Sequence, residues 1–291
     1  MFLIVFASPG SAATAPPVRK ACGTGITLQV NAASAVQGSV LLVRVRGKSA
    51  LPEMKSEWDG KAVPLWHEGG DATTLHGILG IDLELHPSPY EWKVTWTGGD
   101  GAAQSCSVSL VVRAGKFATE NLKVENQFVQ PNPEQQKRAE EDQKKMRAIY
   151  DTVTPEVLWT GKFRLPLKDV TSGGNFGRRR VLNGQPRSPH TGVDFPALAG
   201  TPVYASQSGM VVLAEELYYA GNTVVIDHGY GVYTMYAHLS AIEAHAGDKV
   251  AAGAEVGKVG ATGRVTGPHL HWGLTIQHAR VNGMNIVERE P

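Results

Sequence analysis

The stretch Asn222-Thr-Val-Val-Ile-Asp227-His-Gly-Tyr-Gly231-Val-Tyr-Thr-Met-Tyr236-Ala-His238-Leu-Ser240 sets the reading of the chain. Asn222–Asp227 and Gly231–Tyr236 are short runs of β-branched and aromatic residues, a composition that suits a pleated, largely buried surface. Between them Gly229 and Gly231 punctuate a reversal, so the pair reads as a hairpin and His228 as one of its turn residues. The same texture continues outward through Val203-Tyr-Ala205, Gly209-Met-Val-Val-Leu213 and Leu270-His-Trp-Gly-Leu-Thr-Ile276. Gly247–Gly257 alternates turns with short β runs and reads as scaffold. From Trp159 onward no convincing helix breaks the pattern, and this half is expected to be an all-β domain.

Upstream, Ile26–Val30, Val40–Val45, Tyr90–Trp96 and Ser107–Val112 alternate with period 2, separated by glycine-rich turns. They predict a small antiparallel sandwich of immunoglobulin-like type over 22–130. Tyr90, Trp92 and Trp96 lie on one side of their strand and belong to its core. His67, His76 and His86 lack metal spacing. Cys22 and Cys106 are the only cysteines, and in an exported protein such a pair predicts one structural disulfide. Pro131-Asn-Pro133 closes this region. The charged stretch that follows reads as an exposed helix within a linker over 131–160, with Glu140–Lys144 and Glu141–Lys145 as i,i+4 pairs. Met146, Ile149, Tyr150 and Val153 form a narrow apolar edge. A solvated connector is the plain reading of this helix, and a spacer or lid over a site is the functional one. The remaining 161–291 is the second domain.

Composition narrows the partners. The 291 residues hold 28 Lys+Arg against 27 Asp+Glu, a net charge of +1, so no bulk positive field exists to hold nucleic acid. No apolar run approaches the ~20 residues needed to span a bilayer. Gly 33 and Pro 17 without a triplet period favour a turn-rich β protein over collagen. Residues 1–21 read as a signal segment and tail: Met1–Ala7 is apolar, Ala13 and Ala15 bracket a small-residue end, and no basic residue precedes the run. Export to the periplasm or outside the cell is the expectation.

Seven of the ten histidines fall in the C-terminal half. His190-Thr-Gly-Val-Asp194 puts an imidazole and a carboxylate four apart, on one face if the segment is extended. Gly192 with β-branched neighbours weighs against a helix. His269-Leu-His271 places two more imidazoles on one strand face, and His238 ends an apolar run. Two imidazoles and a carboxylate suit a Zn²⁺ site with an open position, where the metal lowers the pKa of water to about 7 and polarises a carbonyl. Five groups exceed the three ligands of such a site, so two are left for proton transfer or charge stabilisation. Arg178-Arg-Arg180 reads as a solvated basic face, with the carboxylates of a substrate as its functional alternative.

From Phe163 to Val287 the sequence resembles the lysostaphin-type, LytM-like zinc metallopeptidases that cut peptidoglycan. The likeness rests on Phe176-Gly-Arg-Arg, His190-Thr-Gly-Val-Asp194-Phe, Gly200-Thr-Pro-Val-Tyr-Ala205, the Val225–Gly231 turn, Tyr236-Ala-His-Leu-Ser240 and Thr262-Gly-Arg-Val-Thr-Gly-Pro-His-Leu-His271-Trp. It implies an antiparallel β fold of duplicated hybrid motif type with a groove over the metal. It also implies one zinc per chain on His190, Asp194 and His271, with His238 and His269 as the catalytic non-ligand histidines. Peptidoglycan stem peptides and cross-bridges would be the substrate. A non-catalytic wall-binding or hydrolase-activating protein of the same fold is the alternative, and the full set of five residues speaks against it. The chain order adds a regulatory expectation, that the sandwich and helix cover the groove until displaced.

Overall fold

The computed structural model describes residues 16–23, 25–170 and 173–287. Most of the expected signal segment, residues 1–15, lies outside the described residues, but Val18–Ala21 of the expected tail is a strand of the first domain. That domain is a β-sandwich. One sheet orders Val18–Ala21, Thr27–Val30, Val40–Arg46 and Thr74–Gly80, and the other orders Ser34–Val36, Ala103–Arg113, Pro89–Thr97, Met54–Trp58 and Lys61–Ala62. Leu28, Val43, Val45, Trp92, Val94, Trp96 and Val108 fill the shared interior, with Tyr90 against its edge. Cys22 and Cys106 form the disulfide.

The sandwich strands end at Arg113, short of the expected 130. Thr119–Leu122 instead runs parallel to Arg179–Leu182 of the second domain, and Gln185–Arg187 completes a three-stranded sheet. The second domain is built on a nine-stranded sheet. Its main path orders Gly192–Pro196, His269–Ile276, Val232–Ile242, Gly221–Asp227, Gly209–Leu217 and Lys249–Val250, all antiparallel. The hairpin that opened the sequence reading is its centre.

Strand Thr74–Gly80 carries no period-2 signal because both its faces are covered. Leu75 and Leu79 face the sandwich interior, while Ile78 joins Val40 and Trp66 in a second apolar cluster with Trp159, Phe163, Val232, Leu274, Ile276 and Val281. The two domains therefore meet through a continuous hydrophobic layer. Trp66 stacks on Tyr230, ring centroids 5.5 Å apart, and meets Trp159 edge-on. At the rim Arg280 clamps Asp82 in a fork, Nη2 donating to Oδ1 at 2.7 Å and Nε to Oδ2 at 3.0 Å. Burial would raise the Asp82 carboxyl, but hydrogen bonds from Arg280 hold it below the usual range.

The helix Pro133–Asp151 begins with a capping box. Asn132 Oδ1 accepts from Gln135 N and Gln135 Oε1 from Asn132 N, both at 2.9 Å. It is a docked element, not a solvated connector. Met146, Ile149 and Tyr150 pack on Leu213, Leu217, Val225 and Tyr233, while Val153 stays exposed. Its expected internal pairs give way to contacts with the neighbouring strand. Lys145 pairs with Glu215 and Arg138 with Glu216 at 3.4 Å, because docking brings that acidic strand end within reach.

Candidate active site

Register builds the site. Strand Gly192–Pro196 pairs with His269–Ile276 so that Asp194 lies opposite His271 and Pro196 opposite His269. Strand Val232–Ile242 flanks the other side, with Ala237 opposite His271, which delivers His238 one residue later. His190 precedes the first of these strands and is held by its backbone, its N–H donating to Arg178 O at 2.9 Å. His190 Nε2, Asp194 Oδ1 and His271 Nδ1 then converge: Nε2 to Nδ1 is 2.9 Å, and each nitrogen is 3.0 Å from Oδ1. Tetrahedral zinc with ~2.0–2.1 Å bonds would separate its ligands by roughly 3.3 Å. Three mutually close donor atoms of this chemistry, two imidazole and one carboxylate, fit that ion.

Burial is the main cause that pushes His190 down to about 4 and His238 down to about 3, so both imidazoles are neutral at neutral pH. Burial would raise Asp194, yet hydrogen bonds from His190 and His271 hold it far below the usual carboxylate range. Asn175 Nδ2 donates to Asp194 Oδ2 at 3.3 Å and helps to orient it.

His238 and His269 face the same pocket. His238 Nδ1 donates to Thr262 O at 2.9 Å and His269 Nδ1 to Gly267 O at 2.8 Å. A carbonyl only accepts, so each ring keeps its proton on Nδ1 and leaves Nε2 as a free lone pair. His269 Nε2 lies 3.7 Å from Asp194 Oδ1. His238 sits at φ 64°, in the left-handed region, where the strand's register with its neighbours shifts. The bulge re-aims its side chain toward the site.

All five residues singled out in the sequence thus come together. The cavity beside them, about 250 Å³, is also lined by Asn175, Arg180 and Arg264, with Glu120 and Leu122 in its wall. Neither Asn175 nor Arg264 stood out in sequence, since one side chain in a glycine-rich loop carries no periodic signal. The Arg178–Arg180 run is a solvated face only in part. Arg178 pairs with Glu120 at 3.5 Å and Arg179 with Glu84 at 3.6 Å, whereas Arg180 points inward with Nη2 4.0 Å from Asp194 Oδ2. His228 lies apart from the site, fully buried, its Nδ1 2.8 Å from Ser208 O and Nε2 2.7 Å from Thr234 Oγ1.

Gly192 earns its place by space. A Cβ there would stand 2.6 Å from His271 Cε1 and Nε2 and 2.7 Å from Trp272 O. Gly192→Ala is expected to push the His271 ring off its position and weaken zinc binding by about 5- to 100-fold, an overpacking effect of roughly 1–3 kcal/mol. Competition against a chromophoric chelator measures it. An unchanged zinc affinity would show that the ring can give way freely.

The second domain thus carries, on an antiparallel sheet, a convergent His–Asp–His set that could hold a metal ion. Residues 188–283 match Peptidase family M23, and this part of the second domain is an M23 domain. A crystal structure of a Pseudomonas aeruginosa protein, named as a candidate M23 peptidase, is 29% identical and superposes with a TM-score of 0.65 over 87% of this chain and 96% of that one. Both domains therefore share its fold. Peptidoglycan DD-endopeptidase ShyA of Vibrio cholerae is 49% identical over 111 residues, 38% of this chain and 26% of ShyA. DD-carboxypeptidase/endopeptidase Mpg of Neisseria meningitidis is 46% identical over 97 residues, 33% of this chain and 21% of Mpg. The chain thus spans about a quarter of the length of these curated relatives.

Proposed function

We propose that this protein is an exported zinc metalloendopeptidase that hydrolyses peptide cross-links of bacterial peptidoglycan. The observation that carries this reading is the convergence of His190, Asp194 and His271 within 3.0 Å beside two imidazoles with free Nε2 lone pairs. The names of ShyA and Mpg support a wall peptide as substrate. The Cys22–Cys106 disulfide supports an oxidising compartment, and among the described residues no helix is long and apolar enough to cross a membrane.

His190, Asp194 and His271 would hold the ion. When bound, zinc polarises the scissile carbonyl and activates the attacking water. Asn175 Nδ2, which donates to Oδ2, orients the Asp194 carboxylate. His238 and His269 divide the proton traffic. A neutral Nε2 accepts the proton of the attacking water, and the imidazolium so formed donates it to the leaving nitrogen. Thr262 O and Gly267 O keep both rings in the required tautomer.

The test is a digest of purified peptidoglycan by the zinc-loaded full chain, read by mass spectrometry of the muropeptides. Cross-linked dimers should fall to monomers, and the new termini identify the bond. Intact cross-links in walls of both glycyl–glycyl and D-alanyl–diaminopimelyl type would overturn the enzyme in favour of a wall-binding or hydrolase-activating protein.

A further inference from the structure

The groove contains a cation that the zinc chemistry does not use. Burial, together with the nearby guanidinium groups of Arg180 and Arg187, disfavours the charge of Arg264. Those two neighbours are answered. Arg180 faces Asp194 and Glu120, and Arg187 Nη2 donates to Val129 O and Gln185 Oε1, both at 2.7 Å. Arg264 is different. Among the described residues no carboxylate pairs with it, and its only close partner is the Tyr219 ring, 4.4 Å from Cζ to centroid. Stacking occupies the face of a guanidinium and leaves its N–H edge open. That side chain lines the cavity holding Asp194, His238 and His269, and also the neighbouring cleft of about 470 Å³ against the helix Pro133–Asp151. A partly desolvated cation crowded by like charges is costly unless an anion comes to it.

We propose that Arg264 determines specificity by binding a substrate carboxylate adjacent to the scissile amide, a proposal that rests on the endopeptidase reading. The open fork of its guanidinium matches a carboxylate in two parallel hydrogen bonds. In a D-alanyl–diaminopimelyl link the carbon bearing the leaving nitrogen also bears a free carboxylate. A glycyl–glycyl link has none at that place. Arg264 therefore selects the first chemistry over the second.

Two synthetic cross-linked peptides test this, identical except that the group on the carbon bearing the leaving nitrogen is a carboxylate in one and a primary carboxamide in the other. The readouts are kcat/KM with the zinc-loaded full chain and calorimetric affinity for the metal-free full chain. The unmodified protein should prefer the carboxylate by about 10- to 100-fold in both, the range of one charge-assisted hydrogen-bond pair. In Arg264→Gln the ratio should fall toward 1. Arg264→Lys, which keeps the charge and loses the fork, should give an intermediate ratio. Equal handling of the two peptides by the unmodified protein overturns the proposal, and so does a preference that survives in Arg264→Gln. Selective binding without cleavage would support the recognition by Arg264 and remove the endopeptidase reading.

Discussion

Alanine in place of His271 should lower kcat/KM on a cross-linked wall peptide by at least about 10³-fold, several kcal/mol of transition-state stabilisation. Bound zinc should fall from one ion per chain to near none. His271 Nδ1 is one corner of a triangle whose sides are 2.9 and 3.0 Å, so its loss leaves two donors where the site needs three. Metal content by mass spectrometry of the purified protein separates this from a general loss of structure. His238→Ala provides the contrast, because its ring lies outside the His190–Asp194–His271 triangle and should lose turnover while keeping the ion. A His271→Ala protein that retains stoichiometric zinc would remove His271 from the ligand set.

Removing the disulfide should have the largest effect on stability. Cys22 and Cys106 close a loop of 84 residues, which by chain entropy contributes about 4–5 kcal/mol to the oxidised form. The Cys22→Ser, Cys106→Ser double variant should therefore unfold at clearly lower urea. Tryptophan fluorescence follows it well, because Trp58, Trp92 and Trp96 all sit in the sandwich interior that the bridge closes. The same protein kept in reductant should behave like the variant. Coincident transitions for oxidised and reduced protein would mean the sandwich stands without the bridge.

The residues of the candidate site were legible because clustered imidazoles and a carboxylate are chemically conspicuous. A clustering of histidines with one aspartate at strand spacing stands out even without coordinates, and the five residues meet in space. The strands around them were legible where one face is wet, as in Tyr90–Trp96, or where glycines mark the hairpin at 228–231. What escaped was whatever depends on two segments meeting. Strand Thr74–Gly80 hides because the second domain covers the face that would have been polar. Thr119–Leu122 hides because four residues of mixed character become a strand only when Arg179–Leu182 offers its edge. The helix looked solvated because its charges outnumber its apolar residues, although three apolar side chains suffice to dock it. Arg264 is one basic residue in a loop until Tyr219 and the cavity give it an orientation.

The apolar layer of Val40, Trp66 and Ile78 against Leu274, Ile276 and Val281 bears on how such a protein can be rebuilt. A catalytic half transplanted by itself onto a foreign targeting module would carry that layer bare into water, together with the groove edge where Thr119–Leu122 had paired. Chimeras built on this chain should therefore be joined upstream of Val18, leaving both halves and their seam intact.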